Sequence, residues 1–234
     1  SVECDGFGNQ DALSAWLTNN GGAQASDNIT ETGLILWTNN FNALTTACGA
    51  SGKVTVTFTA TDECGNSRNT TASFTIIDQT PPTLLGIPAD EMVSCDAITP
   101  LATPTASDDC SSEVAIDFQE IIQAGPCSHN YQLIRSWTAT DECGNQDVQT
   151  QVISVEDNTA PILFGVPADE TVECSTIPIA ATPTATDNCD SDVSIGFGEV
   201  QSNGTCSDGY VLTRTWTSTD ACGNQSVQTQ VITV

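Results

Sequence analysis

Three times the chain carries Thr-Asp, one variable residue and Cys-Gly-Asn, opening at Asp62, Asp141 and Asp220. Carboxylates gathered with backbone carbonyls are what a hard cation such as calcium takes as ligands. Asp, Gly and Asn are equally the residues of a tight turn, so turn chemistry is the competing reading. More acids stand where they could join these three. Asp108 and Asp187 lie in "SDDC" and "TDNC", Asp27 lies in "SDNI", and Asp78 and Asp157 precede proline-containing stretches. If Asp78 meets Asp108 and Asp141, and Asp157 meets Asp187 and Asp220, three carboxylates converge twice, at a repulsive cost that a cation would reverse. The expectation is structural calcium that stiffens the junctions, with Asp27 and Asp62 forming a weaker half-site.

The other reactive residues are cysteines, of which there are eleven, and none falls in a Cys-x-x-Cys pair. That many thiols without metal spacing implies structural disulfides in an oxidising, extracellular location. The single histidine, His129, sits beside Cys127 with no counterpart elsewhere. A Cys–His nucleophile needs a free thiolate, so no catalytic residue is assigned and the chain is not expected to be an enzyme. "GFGNQ" and "GFGEV" lack the lysine and the strand–helix setting of a phosphate loop.

These residues are positioned by a repeat. Cys95, Cys110, Cys127 and Cys143 recur 79 residues later as Cys174, Cys189, Cys206 and Cys222, and the text between them recurs with them. A diverged copy precedes both, carrying Cys4, Cys48 and Cys64, with Ile29 where the second cysteine belongs and an insert of 12 residues. The insert reads as a short helix capped by Asp11, with Leu13, Trp16 and Leu17 on one face and a stop at Asn20-Gly21. Boundaries are expected at "DQTPP" and "DNTAP", giving repeats 1–78, 79–157 and 158–234 of a longer array. Each copy closes with two alternating runs about a Gly-Asn turn, the pattern of a hairpin half-buried on one face. The fold class expected is all-β: three tandem immunoglobulin-like antiparallel β-sandwiches, with a short helix in the first.

Thirty acidic residues against four basic ones give a formal charge of −26. Phosphate backbones and anionic lipid repel such a chain, so nucleic acid and direct membrane insertion are excluded as partners. No apolar run approaches the roughly 20 residues that span a bilayer.

"PADETVEC", "ATDNC", "RTWTSTDACGN" and "VEDNTAP" resemble the hyalin-repeat-like (HYR-like) immunoglobulin domains of giant exported Bacteroidota proteins, including SprB-type gliding adhesins. That resemblance implies adhesion or scaffolding at the cell surface, with neighbouring repeats as the first partners and a surface or glycan ligand unnamed. The alternative is a glycan-binding module, with Trp16 as the best candidate platform.

Within an immunoglobulin-like order, the expected bonds are Cys4–Cys48, Cys95–Cys127, Cys110–Cys143, Cys174–Cys206 and Cys189–Cys222, leaving Cys64 odd. Loops of that size would each contribute roughly 3–4 kcal/mol. Arg135 and Arg214 fall on an inward strand phase where the first copy has Val56, while Glu120 and Glu199 stand where it has Phe41. The paired exchange predicts an ion pair in each later copy.

Overall fold

The computed structural model describes residues 1–203 and 209–234. The first repeat contains β1 (Val2–Glu3), α1 (Gln10–Thr18), β2 (Leu36–Asn39), β3 (Thr45–Thr46), β4 (Gly52–Thr61) and β5 (Ser67–Ile77). The second contains β6 (Thr83–Leu85), β7 (Glu91–Ser94), β8 (Thr105–Ser107), β9 (Ala115–Cys127), β10 (Asn130–Thr140) and β11 (Gln146–Glu156). The third repeats that order as β12 (Ile162–Phe164), β13 (Glu170–Thr171), β14 (Thr184–Thr186), β15 (Ser194–Asn203), β16 (Tyr210–Thr219) and β17 (Gln225–Thr233). Among the described residues the chain is thus all-β with one short α-helix, and no helix is long and apolar enough to cross a membrane.

The large sheets run β1-β5-β4-β2 with β3 also on β4, then β7-β11-β10-β9, then β13-β17-β16-β15. The sheets are mixed rather than purely antiparallel: β1, β7 and β13 each lie parallel to the last strand of their repeat. Two-stranded sheets, β6-β8 and β12-β14, supply a second layer in the later repeats. Leu84 of β6 is buried with Trp137 and Ala139 of β10, flanked by Ala106 and Val114. Burying such a side chain stabilises by about 1.5–3 kcal/mol.

By compactness the chain divides into two units. One comprises 1–87, 102–119 and 136–149, and the other comprises 88–101, 120–135 and 150–234. In the first unit α1 lays Leu13, Trp16 and Leu17 against Phe74 and Ile76. The Trp16 ring stands 5.4 Å from those of both Phe58 and Phe74. Trp16 is therefore a packing residue, which removes the platform assigned to it. Asp11 lies in the first turn of α1, and the cap position belongs to Asn9 in a left-handed conformation. Asn9 is held there because its amide donates to Asp5 and its side chain donates to the Glu3 carbonyl. The second unit has its own cluster of Leu133, Ile153 and Val155.

Candidate metal centres and junction bridges

The Asp-x-Cys-Gly-Asn segments form the hairpin turns between the last two strands of each repeat. In each, the Asp amide donates to the Asn carbonyl, and the Gly amide donates back to the Asp carbonyl. Gly65, Gly144 and Gly223 have φ of 88°, 89° and 88°, a conformation only glycine adopts without strain. The Asp side chain closes the turn, since the Asn145 amide reaches the Asp141 carboxylate at 2.9 Å and its side-chain amide does so at 2.8 Å. Asp220 with Asn224, and Asp62 with Asn66, repeat the pattern. Turn chemistry therefore occupies all three aspartates.

The same asparagine also grips the preceding linker. Asn145 Nδ2 donates to the Asp78 carbonyl at 3.2 Å, and Asn224 Nδ2 donates to the Asp157 carbonyl at 3.0 Å. This second use was invisible in the sequence, where a Gly-Asn turn explains the residue completely.

Both linker aspartates are driven into the cluster. Asp78 is 9% exposed and Asp157 is 1% exposed. A carboxylate oxygen of Asp78 lies within 4.8 Å of one on Asp108, and Asp157 and Asp187 approach each other equally closely. Burial raises the Asp78 carboxyl above its ordinary pKa, and the charges of Asp108, Asp141 and Glu3 add to the rise. Asp157 is raised by burial and by Asp187 and Asp220. Burial also pushes Asp141 upward, but hydrogen bonds from Asn145, Cys143 and Gly144 outweigh it and hold Asp141 low. In the first repeat Asp27 is held low by the amides of Thr30 and Ile29, and Asp62 lies close enough to oppose that.

Oδ2 of Asp78, Asp157 and Asp187 is buried without a hydrogen-bond partner among the described residues. Ionised oxygens in that state are costly unless something positive meets them. The donor set suits a hard, oxygen-seeking cation. The sulfurs beside it, Cys110 and Cys189, are in disulfides and are not ligands. His129 approaches Asp157 and Cys222, but Cys222 is bonded to Cys127, so no thiolate faces the imidazole.

The bonds differ from the expected pairing. They are Cys4–Cys110, Cys48–Cys143, Cys95–Cys189 and Cys127–Cys222, and each joins one repeat to the next. None of Cys4–Cys48, Cys95–Cys127, Cys110–Cys143 or Cys189–Cys222 forms. The cause is local packing at the junction. The Ala50 amide donates to the Cys110 carbonyl at 2.7 Å, and the Gly49 amide donates to Glu142 at 3.1 Å. Asn188, beside Cys189, reaches the Ser94 hydroxyl at 3.3 Å. The nearest sulfur is therefore across the junction. Cys64 and Cys174 are exposed, with no disulfide partner among the described residues. The expected Cys174–Cys206 bond involves a residue outside those described.

A compensating exchange at these junctions also escaped the sequence reading. The Glu142 amide donates to the Ser111 hydroxyl, and the Glu142 carboxylate takes the Ser112 and Glu113 amides. One repeat on, Ala221 replaces Glu142 and Asp190 replaces Ser111, and the Ala221 amide donates to Asp190 at 2.7 Å. The signal was present as a carboxylate moving between two positions 31 residues apart.

The expected ion pairs are present. Arg135 Nε lies 3.0 Å from Glu120, and Arg214 Nε lies 2.7 Å from Glu199. Both guanidinium groups also donate to carbonyls, of Thr99 and Pro100 in one repeat and Pro178 in the other.

A family model described as "HYR-like domain with 4 cysteines" matches residues 85–155 and 164–234. No curated protein matches the chain. Among solved structures, Drosophila N-cadherin EC1-4 is similar at 13% identity over 80% of this chain and 58% of that one, with a TM-score of 0.30. Protocadherin Gamma C5 EC1-3 is similar at 14% identity over 79% and 77%, with a TM-score of 0.33. The chain thus spans less than two thirds of the N-cadherin fragment.

Proposed function

This chain belongs to the HYR-like domains with four cysteines, and on that footing we propose that it is a structural and adhesive repeat region, a stalk or filament segment, of an exported cell-surface protein. The observation that carries the reading is the covalent ladder, in which all four disulfides among the described residues join consecutive repeats. A chain bonded in this way transmits tension from repeat to repeat through covalent links, and its bonds require an oxidising, extracellular compartment. The repeats 1–78, 79–157 and 158–234 are the units of that ladder, the later two each an immunoglobulin-like sandwich with a second, two-stranded sheet. The gliding-adhesin assignment rests on the resemblance of "PADETVEC" and "RTWTSTDACGN". Trp137 and Trp216 are buried and Trp16 packs on phenylalanine, so none of these three supports a glycan-binding role, and Trp37 on β2 is half-buried. Pulling single molecules tests the reading. Oxidised chain should resist extension within each bonded span, and reductant should release it. Identical contour gains with and without reductant would refute it.

Calcium is the second part of the proposal. Asp78 with Asp108, and Asp157 with Asp187, would hold one ion each, while Asp141 and Asp220 add negative charge and water or backbone oxygen completes the set. The orphaned Oδ2 atoms support this assignment. Asp27 and Asp62 would form the weaker half-site. Calorimetric titration should find two sites that Asp78→Asn and Asp157→Asn remove one at a time. Heat unaltered by either substitution would refute calcium at the junctions.

A further inference from the structure

The first repeat lacks the two-stranded sheet that the other two possess. In the second repeat Leu84 pairs with Ala106, and in the third Leu163 pairs with Ala185. Each leucine is 4% exposed. The equivalent of Ala106 and Ala185 is Ala25, with Ile35 standing for Val114 and Ala60 for Ala139. Residues 23–27 form no strand, although their burial alternates as it does in β8 and β14. At that place an open cavity of about 250 Å³ is lined by Ala25, Ile35 and Ala60 together with polar residues that include Asp27, Asn66 and Arg68. The three apolar residues are the counterparts of Ala106, Val114 and Ala139 in the cluster around Leu84.

The polar grip is also present and unfilled. Asn145 and Asn224 donate to the carbonyls of Asp78 and Asp157, six residues before each buried leucine. The equivalent Asn66 side chain donates within its own turn, to Asp62, and to no other group among the described residues. Exposed Cys64 lies in the same turn, and its counterparts Cys143 and Cys222 are the residues bonded to a preceding repeat.

We propose that this slot is an acceptor for an incoming β-strand of sequence Asp-x-Thr-x-Pro-x-Leu, supplied by a segment outside residues 1–234. The strand pairs with Gln24–Ser26, places its leucine on Ala25, Ile35 and Ala60, and offers its aspartate carbonyl to Asn66. Strand addition of this kind draws affinity from main-chain hydrogen bonds and specificity from one side-chain pocket. The occupant is identified by the molecule itself, because that sequence fills both equivalent slots as residues 78–84 and 157–163. The inference is independent of adhesion and of calcium.

The test extends the full chain. Because Cys4 corresponds to Cys174, Ser1 corresponds to Thr171, so the 14-residue sequence of 157–170 fused before Ser1 enters in register. Hydrogen exchange at the amides of residues 24–26 should slow at least tenfold, and the melting temperature should rise. The same extension with its leucine changed to aspartate should leave both at the values of the unextended chain. Equal exchange in all three proteins would overturn the proposal. So would protection that grows with concentration in the unextended chain, which would assign the slot to a second copy.

Discussion

Arg214 and Glu199 face each other directly across the β15–β16 pair, and their contact can be measured. The guanidinium side chain is 6% exposed while the carboxylate side chain is 39% exposed, so the two substitutions should not cost the same. Arg214→Ala removes the bond to Glu199, strips the Pro178 carbonyl of its donor at 2.8 Å and leaves a void where the aliphatic stem packed. Charged hydrogen bonds are worth about 1.5–3 kcal/mol and the void adds to that, giving about 3–4 kcal/mol. Glu199→Ala leaves a buried cation with a carbonyl partner. A fully buried orphaned charge would cost about 3–5 kcal/mol, and partial exposure reduces this to about 2 kcal/mol. In the Glu199→Ala background, Arg214→Ala should then cost about 1.5–2 kcal/mol less than in the parent. Urea unfolding of the four proteins measures this, with unchanged slopes required for the comparison. Additivity within about 0.5 kcal/mol would refute the contact.

Other outcomes follow from the same geometry. The folded pKa of Asp78 and Asp157 is raised, so their ionised forms lower stability near neutrality, and that penalty lifts as pH falls through the raised values. Asp141 and Asp190 are held low, so the stability they contribute above the ordinary carboxylate pKa is lost on further acidification. In chelator, thermal stability should therefore peak on the acid side of neutrality, and Asp157→Asn should flatten the neutral limb; a monotonic fall from pH 7 downward would contradict this. Asn224→Ala frees the Asp157 carbonyl and opens the turn, and should cost about 1–2 kcal/mol by denaturant titration. Glu142→Ala should destabilise its junction, and Ser111→Asp should restore it, since the next repeat makes that exchange.

What the sequence revealed, and where it fell short, follows from the range of the forces involved. The helix over Leu13–Leu17, the three hairpin turns and the Arg–Glu pairs depend on local spacing or on a paired exchange, and both survive in a single sequence. Cysteine pairing does not. The expected pairing joins the first cysteine of a repeat to the third, whereas Cys95 bonds Cys189, the counterpart of Cys110 one period of 79 later, so the kind of partner changes as well as the repeat. Only contacts such as the Ala50 amide on the Cys110 carbonyl decide the pairing. The parallel edge strands were illegible because two to four residues carry no sign of direction. Trp16 was expected to offer a binding platform although it shares a helix face with Leu13 and Leu17, and its ring packs on Phe58 and Phe74. The expectation gathered three carboxylates at each junction. Asp78 lies beside Asp108 and Asp157 beside Asp187, with Asp141 and Asp220 outside these closest groups, and the asparagine that draws each linker in left no mark in the sequence.

Peptide mapping of unreduced protein tests the covalent ladder most directly. Digestion with free thiols blocked should release Cys95 linked to Cys189, Cys127 linked to Cys222 and Cys48 linked to Cys143. Peptides joining Cys95 to Cys127, or Cys189 to Cys222, would place the bonds within repeats and contradict the account.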